Sequence, residues 1–295
     1  MQISNKLCDA VQSKYLMDYT YHISKYERNS GSPEELQSFK YIEEKLQSFG
    51  LETKLSFNDA YISLPLESNL SIDGEDIPCI TTSMSAATGE DGIEAQMVVI
   101  ENNEQLIDMG SETEDKILIF KGFATRDKVQ KATDSGAKGC IFINGEHLHN
   151  MNVSRVWGNP TFVTINQLPI IPIVNIDQFS GDKVIALAKK NKRARMVTRV
   201  DEGWRKVPTL IAEVKGQVEP EKFILLSGHV DSWHYGAMDN ASANAAMMEV
   251  ARILAQMPLR RSLRLAFWSG HSHGRYAGST NYFDENYQEI YDHCL

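Results

Sequence analysis

Apolar residues recur with a helical period near the beginning of the chain, around Tyr15–Tyr26 and again after Ser32. Ser32 is a suitable N-cap for the second helix, and Pro33 is suited to its first turn. Glu35 stands at the third helical position, where it can complete a capping box. Gly50 is placed to end the helix. The apolar seam of this predicted helix consists of Leu36, Phe39, Ile42, Leu46 and Phe49. Leu51–Phe57 is the strand that we expect next.

The middle of the chain, about 65–195, has a different pattern of short apolar runs separated by turn residues. These runs lie at 97–100, 116–120, 140–143 and 170–174. A helix that begins after Thr125 and ends at Gly136 separates the second run from the third. We therefore expect a compact, β-rich unit in which Cys140 lies on an interior strand.

The last third of the chain alternates between predicted strands and helices, which is typical of an α/β fold. Strands are expected at Thr209–Lys215, Phe223–Leu226 and Ser262–Trp268. Helices are expected at Ala241–Ala255 and around 281–291.

Composition and charge limit the classes of function. The chain has 295 residues and a formal net charge of -9, which argues against a nucleic-acid partner. The basic run Lys189–Arg199 is interpreted as a solvated helix end and interdomain linker. No apolar run is long enough to cross a membrane, and the start of the chain has no signal-peptide core. We expect a cytoplasmic protein without a membrane partner, and its oligomeric state stays open.

The four cysteines, Cys8, Cys79, Cys140 and Cys294, have no metal-binding or redox-motif spacing. We expect free thiols, as in a reducing compartment. His147 and His149 alternate along a polar stretch and could hold a metal, but we interpret them as loop histidines.

Candidate chemistry is concentrated in residues 223–242. The apolar run Phe223–Leu226 leads to His229 and Asp231, and Asp239 follows just before the predicted helix. On a strand end, residues two apart share a face, so a carboxylate can hold the imidazole while its other nitrogen binds a metal. Alternatively, His229 and Asp231 decorate a loop and Asp239 caps a helix.

The amino-acid sequence of this segment resembles the core of the M28 (aminopeptidase Y-like) zinc peptidases. The similarity rests on His229-Val-Asp231-Ser, Gly236-Ala-Met-Asp239-Asn-Ala-Ser and Glu249-Val-Ala-Arg-Ile-Leu. The resemblance implies that His229 and Asp239 are metal ligands, with Asp239 bridging two zinc ions, and that Asp231 orients His229. It also implies a mixed-sheet α/β peptidase fold with helices on both faces.

The middle segment resembles a protease-associated (PA) domain, which many M28 proteins carry as an insertion in the peptidase domain. The matching stretches begin at Asp115, Lys131 and Leu168. The expected organisation is therefore an N-terminal part of the peptidase domain at 1–62, a PA domain at 63–198 and the peptidase core at 199–295.

The chain departs from the M28 pattern after Ser262–Trp268, where Gly-Glu-Glu is expected. Here the sequence is Gly-His271-Ser272-His273-Gly, so His271 stands at the position of the general base and Ser272 at that of a ligand carboxylate. Imidazole can serve either role, so one histidine could bind metal while the other abstracts a proton. Alternatively the site has lost its base, or both histidines simply belong to a polar loop.

Asp231 and His271 are the candidate catalytic residues, with Asp231 acting through His229. The candidate metal ligands are His229, Asp239 and His273. We also expect His271, rather than His273, to face the metal side of the cleft.

A second departure concerns length. The resemblance implies a further carboxylate and a final histidine ligand on later loops, but the sequence ends at Leu295, and His293 lies too close to the preceding motif to be that ligand. We therefore expect a peptidase domain that is incomplete at the C-terminus, through a fragment, an early stop or a gene-model error.

The resemblance implies metal-dependent peptide hydrolysis of the aminopeptidase type, with a peptide as substrate and one or two zinc ions as cofactor. Cobalt or manganese could substitute for zinc. The alternative is a catalytically impaired or inactive homologue that acts as a binding protein. A related metal hydrolase that cleaves a non-peptide amide also stays open.

Overall fold

A computed structural model describes residues 2–101 and 110–295. Its helices are α1 (Gln2–Ala10), α2 (Ser13–Ile23), α3 (Pro33–Ser48), α4 (Arg126–Asp134), α5 (Gln178–Ala188), α6 (Ala243–Leu254), α7 (Ala277–Glu285) and α8 (Tyr287–His293). Its strands are β1 (Glu52–Ile72), β2 (Glu75–Ile77), β3 (Ile80–Thr81), β4 (Ile93–Ile100), β5 (Ile117–Lys121), β6 (Gly139–Ile143), β7 (Ile173–Ile176), β8 (Arg193–Val214), β9 (Glu219–His229) and β10 (Arg261–Trp268). Short irregular helical turns lie at Gly110–Thr113, Thr164–Gln167 and Ala237–Ser242.

The chain forms two compact units. The first contains residues 1–61 and 204–295, and the second contains residues 62–203. The first change of unit falls beside the predicted boundary at 62/63. The second lies at 203 rather than 198, inside strand β8. The predicted middle domain also includes residues 102–109, which lie outside the described residues.

Helix α3 shows how local sequence fixes the beginning of an element. The hydroxyl of Ser32 accepts a hydrogen bond from the amide of Glu35 at 3.1 Å, as an N-cap does. The Glu35 carboxylate reaches one residue further back than in a standard capping box and accepts from the amide of Gly31 at 2.7 Å. Gly50, at φ 89°, follows the helix.

The sheet of the first unit is mixed. Strand β10 pairs in parallel with β9 and antiparallel with β8. Its side chains alternate between two cores, as the strand period requires. Leu263 and Phe267 pack with α2, α3 and α6, whereas Ala266 and Trp268 pack against Tyr282 of α7. Helices therefore cover both faces of this sheet, as predicted.

The second unit has a core of four parallel strands in the order β4-β5-β6-β7. Antiparallel neighbours flank it, β8 beside β4 and β3 beside β7. Ile119 packs on one face with Val184 of α5, and Phe120 stacks on Phe142 with ring centres 5.1 Å apart. Cys140 is fully buried on β6, as predicted. The parallel strands with helices make this unit α/β in character, and its assignment as a PA domain stays a prediction.

The interpretation of the basic run as a linker is wrong over most of its length. Residues 193–199 belong to β8, and residues 193–196 pair with β4. The buried members of the alternation are Ala194, Met196 and Thr198. The exposed cations face acidic partners, as Arg193 does with Glu94 at 2.7 Å. The many basic residues of this run led to the linker interpretation, although every second residue from 194 to 198 is buried as in a strand.

Two further findings concern the whole described chain. The four cysteine thiols are free. Of the helices in residues 2–101 and 110–295, none is long and apolar enough to cross a lipid bilayer.

Candidate metal centre

Strand β9 ends at His229, whose backbone lies opposite Trp268 in the parallel register with β10. The imidazole Nε2 of His229 lies 3.0 Å from a carboxylate oxygen of Asp239. His229 is buried, whereas 71% of the Asp239 side chain is exposed. The two side chains therefore converge, as expected from their spacing, at a place that solvent reaches from the Asp239 side.

A glycine turn brings Asp239 back towards the end of the strand. Gly236 has φ 47°, in the left-handed region, and a Cβ there would lie 2.4 Å from the Ser232 Cβ and from the Asp239 carbonyl oxygen. Only glycine fits this close approach without rearrangement. The irregular turn Ala237–Ser242 then leads into α6.

Asp231 lies behind His229 and is completely buried. The His229 Nδ1 is 2.8 Å from the main-chain carbonyl of Asp231 and 3.4 Å from its carboxylate. The predicted orienting role thus involves the carbonyl as much as the carboxylate. With Nδ1 held in this way, Nε2 is directed at Asp239.

The Asp231 carboxylate accepts three further hydrogen bonds. They come from the Ser30 hydroxyl at 2.7 Å, the Ser272 amide at 2.7 Å and the His271 amide at 3.3 Å. Burial opposes ionisation, but the hydrogen bond and charge of His229 outweigh it, so the pKa of Asp231 is lowered. A buried anion therefore ties the strand end to the His271 loop.

The protonation of His229 follows from its two acidic neighbours. Burial would lower its pKa, but the hydrogen bonds to Asp231 and Asp239 raise the pKa of His229 to about 10. The same contact lowers the pKa of Asp239. In the metal-free chain the pair is thus an imidazolium and a carboxylate, and a metal ion would replace the Nε2 proton.

His271 lies flat on His229. The ring centres are 3.8 Å apart and the ring planes differ by 4°. Imidazole ligands use lone pairs in the ring plane, so an ion in the plane of one stacked ring lies well outside that of the other. Burial and the charge of His229 lower the pKa of His271 to about 4. In this arrangement His271 is neutral and does not share an ion with His229.

His273 is fully buried on the other side of Asp231, and its ring packs against Trp233 with centres 4.3 Å apart. Its Nδ1 lies 2.9 Å from the Ser30 hydroxyl and 3.3 Å from the Ser30 amide, which donates to it. Burial lowers the pKa of His273 to about 4. This nitrogen is therefore engaged with Ser30.

The three predicted ligands do not form one cluster. Within 2–101 and 110–295, no group of three or more His, Cys, Asp or Glu side chains is arranged to hold a metal ion. The structure brings His229, Asp231, Asp239 and His271 together and sets His273 against Ser30 instead. The donor set at the centre is one imidazole nitrogen and one carboxylate, both of types that zinc accepts.

Sequence reasoning missed the contribution of residues 28–35. Arg28 and Ser30 are buried and contact the loop after β9. Glu35 is also buried, and burial raises its pKa well above the usual range. The capping pattern located the helix, but no local signal connects these side chains with residues 200 positions away.

Comparison with known proteins agrees with this geometry. Residues 209–292 match the model of peptidase family M28, and the match includes His229, Asp231, Asp239 and His271. This part of the chain is similar to peptidase family M28. The M28 segment thus contains the strand end, the glycine turn and the His271 loop described above.

Curated relatives of the chain include carboxypeptidases. Over 100 residues the chain is 34% identical to "Probable glutamate carboxypeptidase VP8" of Zea mays, a match that covers 32% of this chain and 14% of that protein. It is 24% identical over 216 residues to "Carboxypeptidase Q" of Bos taurus, which covers 68% of this chain and 44% of that protein. The chain spans less than half the length of these two relatives.

Solved peptidase structures share the fold. A peptidase M28 precursor from Shewanella amazonensis gives a TM-score of 0.82 at 20% identity, covering 99% of this chain and 72% of that one. The zinc aminopeptidase BSAP from Bacillus subtilis gives a TM-score of 0.75 at 21% identity, covering 96% and 68%. At these identities the likeness concerns the fold alone.

Proposed function

We propose that this chain carries a metal-dependent peptide-hydrolysis site of the M28 class and acts as an aminopeptidase-type exopeptidase of low activity. The observation that carries the proposal is the 3.0 Å approach of His229 Nε2 to the Asp239 carboxylate at the end of β9. The family match over residues 209–292 supports the same class of reaction.

His229 and Asp239 are the residues that would hold the metal. Zinc suits an imidazole nitrogen together with a carboxylate, and cobalt or manganese can occupy similar donor sets. Bound there, the ion would supply a Lewis acid for water and for the scissile carbonyl. We infer one or two ions from the family, and these two donors account for part of the coordination.

The residues of this chain would divide the remaining work. Asp231 fixes the orientation of the His229 ring through its carbonyl and carboxylate. The exposed Asp239 carboxylate leaves its side of the pair open to a peptide. We assign to His271 the position of the general base, although a pKa of about 4 makes it a weak base near neutral pH.

The curated relatives named above are carboxypeptidases, whereas the zinc enzyme among the solved structures is an aminopeptidase. The substrate test therefore has to include cleavage at the amino-terminal end and at the carboxyl-terminal end of a peptide. We also propose that the unit of residues 62–203 corresponds to a PA domain.

A second candidate is a catalytically impaired homologue that binds peptides. It is favoured by one observation, the parallel stacking of His271 on His229 where the family has two glutamates. A stacked imidazole with a low pKa provides neither a second ligand to the same ion nor a strong base.

Metal content tests the proposed site, and turnover separates the two candidates. We expect the purified chain, loaded with zinc and dialysed, to retain at least one ion per molecule, and Asp239→Asn to retain less. Retained zinc with hydrolysis of an aminoacyl p-nitroanilide or a carboxyl-terminal peptide bond supports the hydrolase. Peptide binding without turnover supports the second candidate. An unmodified chain that retains no zinc would contradict the metal site.

A further inference from the structure

Arg28 is completely buried although it carries a guanidinium group. The group donates four hydrogen bonds, all to main-chain carbonyls. Nε donates to Val230 at 2.7 Å, Nη1 to Tyr26 at 3.0 Å and to Tyr235 at 2.7 Å, and Nη2 to Gly236 at 3.2 Å. Three of these four carbonyls belong to the loop between His229 and Asp239.

The main chain of Arg28 holds the middle of the same loop. The Ser232 amide donates to the Arg28 carbonyl at 2.9 Å, and the Arg28 amide lies 3.4 Å from the Ser232 hydroxyl. The loop is therefore fixed just before Asp231, at its centre and at the glycine turn. Buried carbonyls outside a strand ladder need such donors, because an unpaired one is costly.

The choice of arginine has a physical reason. Burying a cation is expensive, and burial does lower the pKa of Arg28. A planar fork with five donors can bind several carbonyls at fixed angles, which a single ammonium group cannot do. The hydrogen bonds described above end on carbonyls rather than carboxylates. The free-energy cost of burying the Arg28 cation is therefore offset by the fixed geometry of these hydrogen bonds, not by an ion pair among them.

We propose that Arg28 is a positioning residue, which folds the loop 230–236 around its guanidinium and thereby sets the approach of Asp239 to His229. The inference rests on the proposed metal site for its functional consequence. The ordering of the loop can be measured without any metal.

The first test is amide hydrogen exchange of the metal-free protein in Arg28→Lys, with Arg264→Lys as control. Arg264 lies in the same unit and binds Glu289 with two 2.8 Å hydrogen bonds. It lies four residues before Trp268 on β10, roughly 13 Å along the strand from the site. We expect the amides of Ser232 and Ala241 to exchange at least about tenfold faster in Arg28→Lys and at the unmodified rate in the control.

Folded Arg28→Lys protein with unchanged exchange at 230–241 would overturn the proposal. If this variant does not fold, Arg28→Gln, which removes the buried charge, gives the same comparison.

The unmodified protein supplies an independent measurement. The Arg28 Nε proton and the Ser232 amide should be protected to the same degree, because the loop opens as a unit. Clearly unequal protection would also overturn the proposal.

The second test is the affinity for Co²⁺ or Zn²⁺, measured by titration calorimetry. Residues that orient metal ligands typically change affinity about 10–100-fold when mutated, and we expect a loss of that size in Arg28→Lys but not in Arg264→Lys. Equal affinities in a folded Arg28→Lys protein would contradict the positioning role. An unmodified chain that binds neither metal would contradict the proposed function instead, and hydrogen exchange would still decide the role of Arg28.

Discussion

The Ser30 hydroxyl donates a 2.7 Å hydrogen bond to the carboxylate of Asp231 across 201 positions of sequence. Both side chains are completely buried. The same hydroxyl lies 2.9 Å from His273 Nδ1, so it joins the strand end that carries His229 to the loop that carries His271 and His273. A residue outside the M28 match therefore supports the centre of the site.

Removing that hydroxyl should destabilise the first unit. Ser30→Ala leaves a buried carboxylate oxygen with fewer donors, and we expect a loss of about 1–3 kcal/mol in the free energy of unfolding, measured in urea. Ser48→Ala is the control, because the Ser48 hydroxyl bonds the Lys45 carbonyl at the exposed end of a helix. It should stay within about 0.5 kcal/mol of the unmodified chain. Equal effects of both variants would contradict the importance of the buried contact.

The glycine turn should tolerate no side chain. Gly236→Ala places a Cβ 2.4 Å from the Asp239 carbonyl oxygen, so the turn must shift and carry Asp239 with it. We expect weaker zinc binding and lower thermal stability. Gly50→Ala provides a control at another positive φ, where a Cβ meets nothing within 4 Å. It should lower stability by about 1 kcal/mol and leave zinc affinity unchanged. Loss of zinc affinity in both variants would point to global unfolding.

Low pH should weaken the ion pairs that Glu219 makes with Lys222 and Arg260. The hydrogen bonds from Lys222 and Arg260 lower the pKa of Glu219 to about 2, from the reference value of 4.5. Because the folded pKa is the lower one, this contribution is complete above about pH 4.5 and is lost as the pH falls towards 2. Glu219→Gln should therefore destabilise the chain more at neutral pH than near pH 3. Unfolding curves at both pH values measure the difference.

Glu221→Gln, on the same strand, is the control for that series. Glu221 is exposed, and its variant should follow the pH profile of the unmodified chain. A Glu219→Gln effect that is constant between the two pH values would show that its ion pairs contribute nothing measurable.

Hydrolysis by this chain should be weak. With zinc added, we expect slow turnover of aminoacyl p-nitroanilides, because His271 is stacked on His229 and its pKa of about 4 is too low for an efficient base. His271→Gln should therefore differ little from the unmodified chain. Robust turnover that is lost in His271→Gln would show instead that the histidine has replaced the glutamates as base.

The parts of the molecule that sequence predicts well are those determined by neighbouring residues. Helix α3 begins after Ser32 as expected, and helix α4 lies between Thr125 and Gly136. His229 and Asp239 converge because a strand end, a glycine turn and a helix follow one another within a few residues. Each of these features depends on local backbone geometry.

The parts that sequence does not predict depend on distant partners. The contacts of Arg28 and Ser30 with the loop after β9 arise only once the first unit has folded. Strand β8 begins in a run of basic residues whose charge concealed the alternation of buried positions. The stacking of His271 on His229 follows from the register of β9 and β10, which a single sequence does not contain.

The aromatic contact between Trp233 and His273 gives the site an intrinsic optical probe. The two rings lie 4.3 Å apart, and Trp233 is one of four tryptophans in the chain. The backbone of Trp268 lies opposite His229 in the strand register, but its indole packs against Tyr282. The fluorescence of Trp233 therefore places a chromophore beside the His271 loop, where altered histidines would change emission without any attached dye.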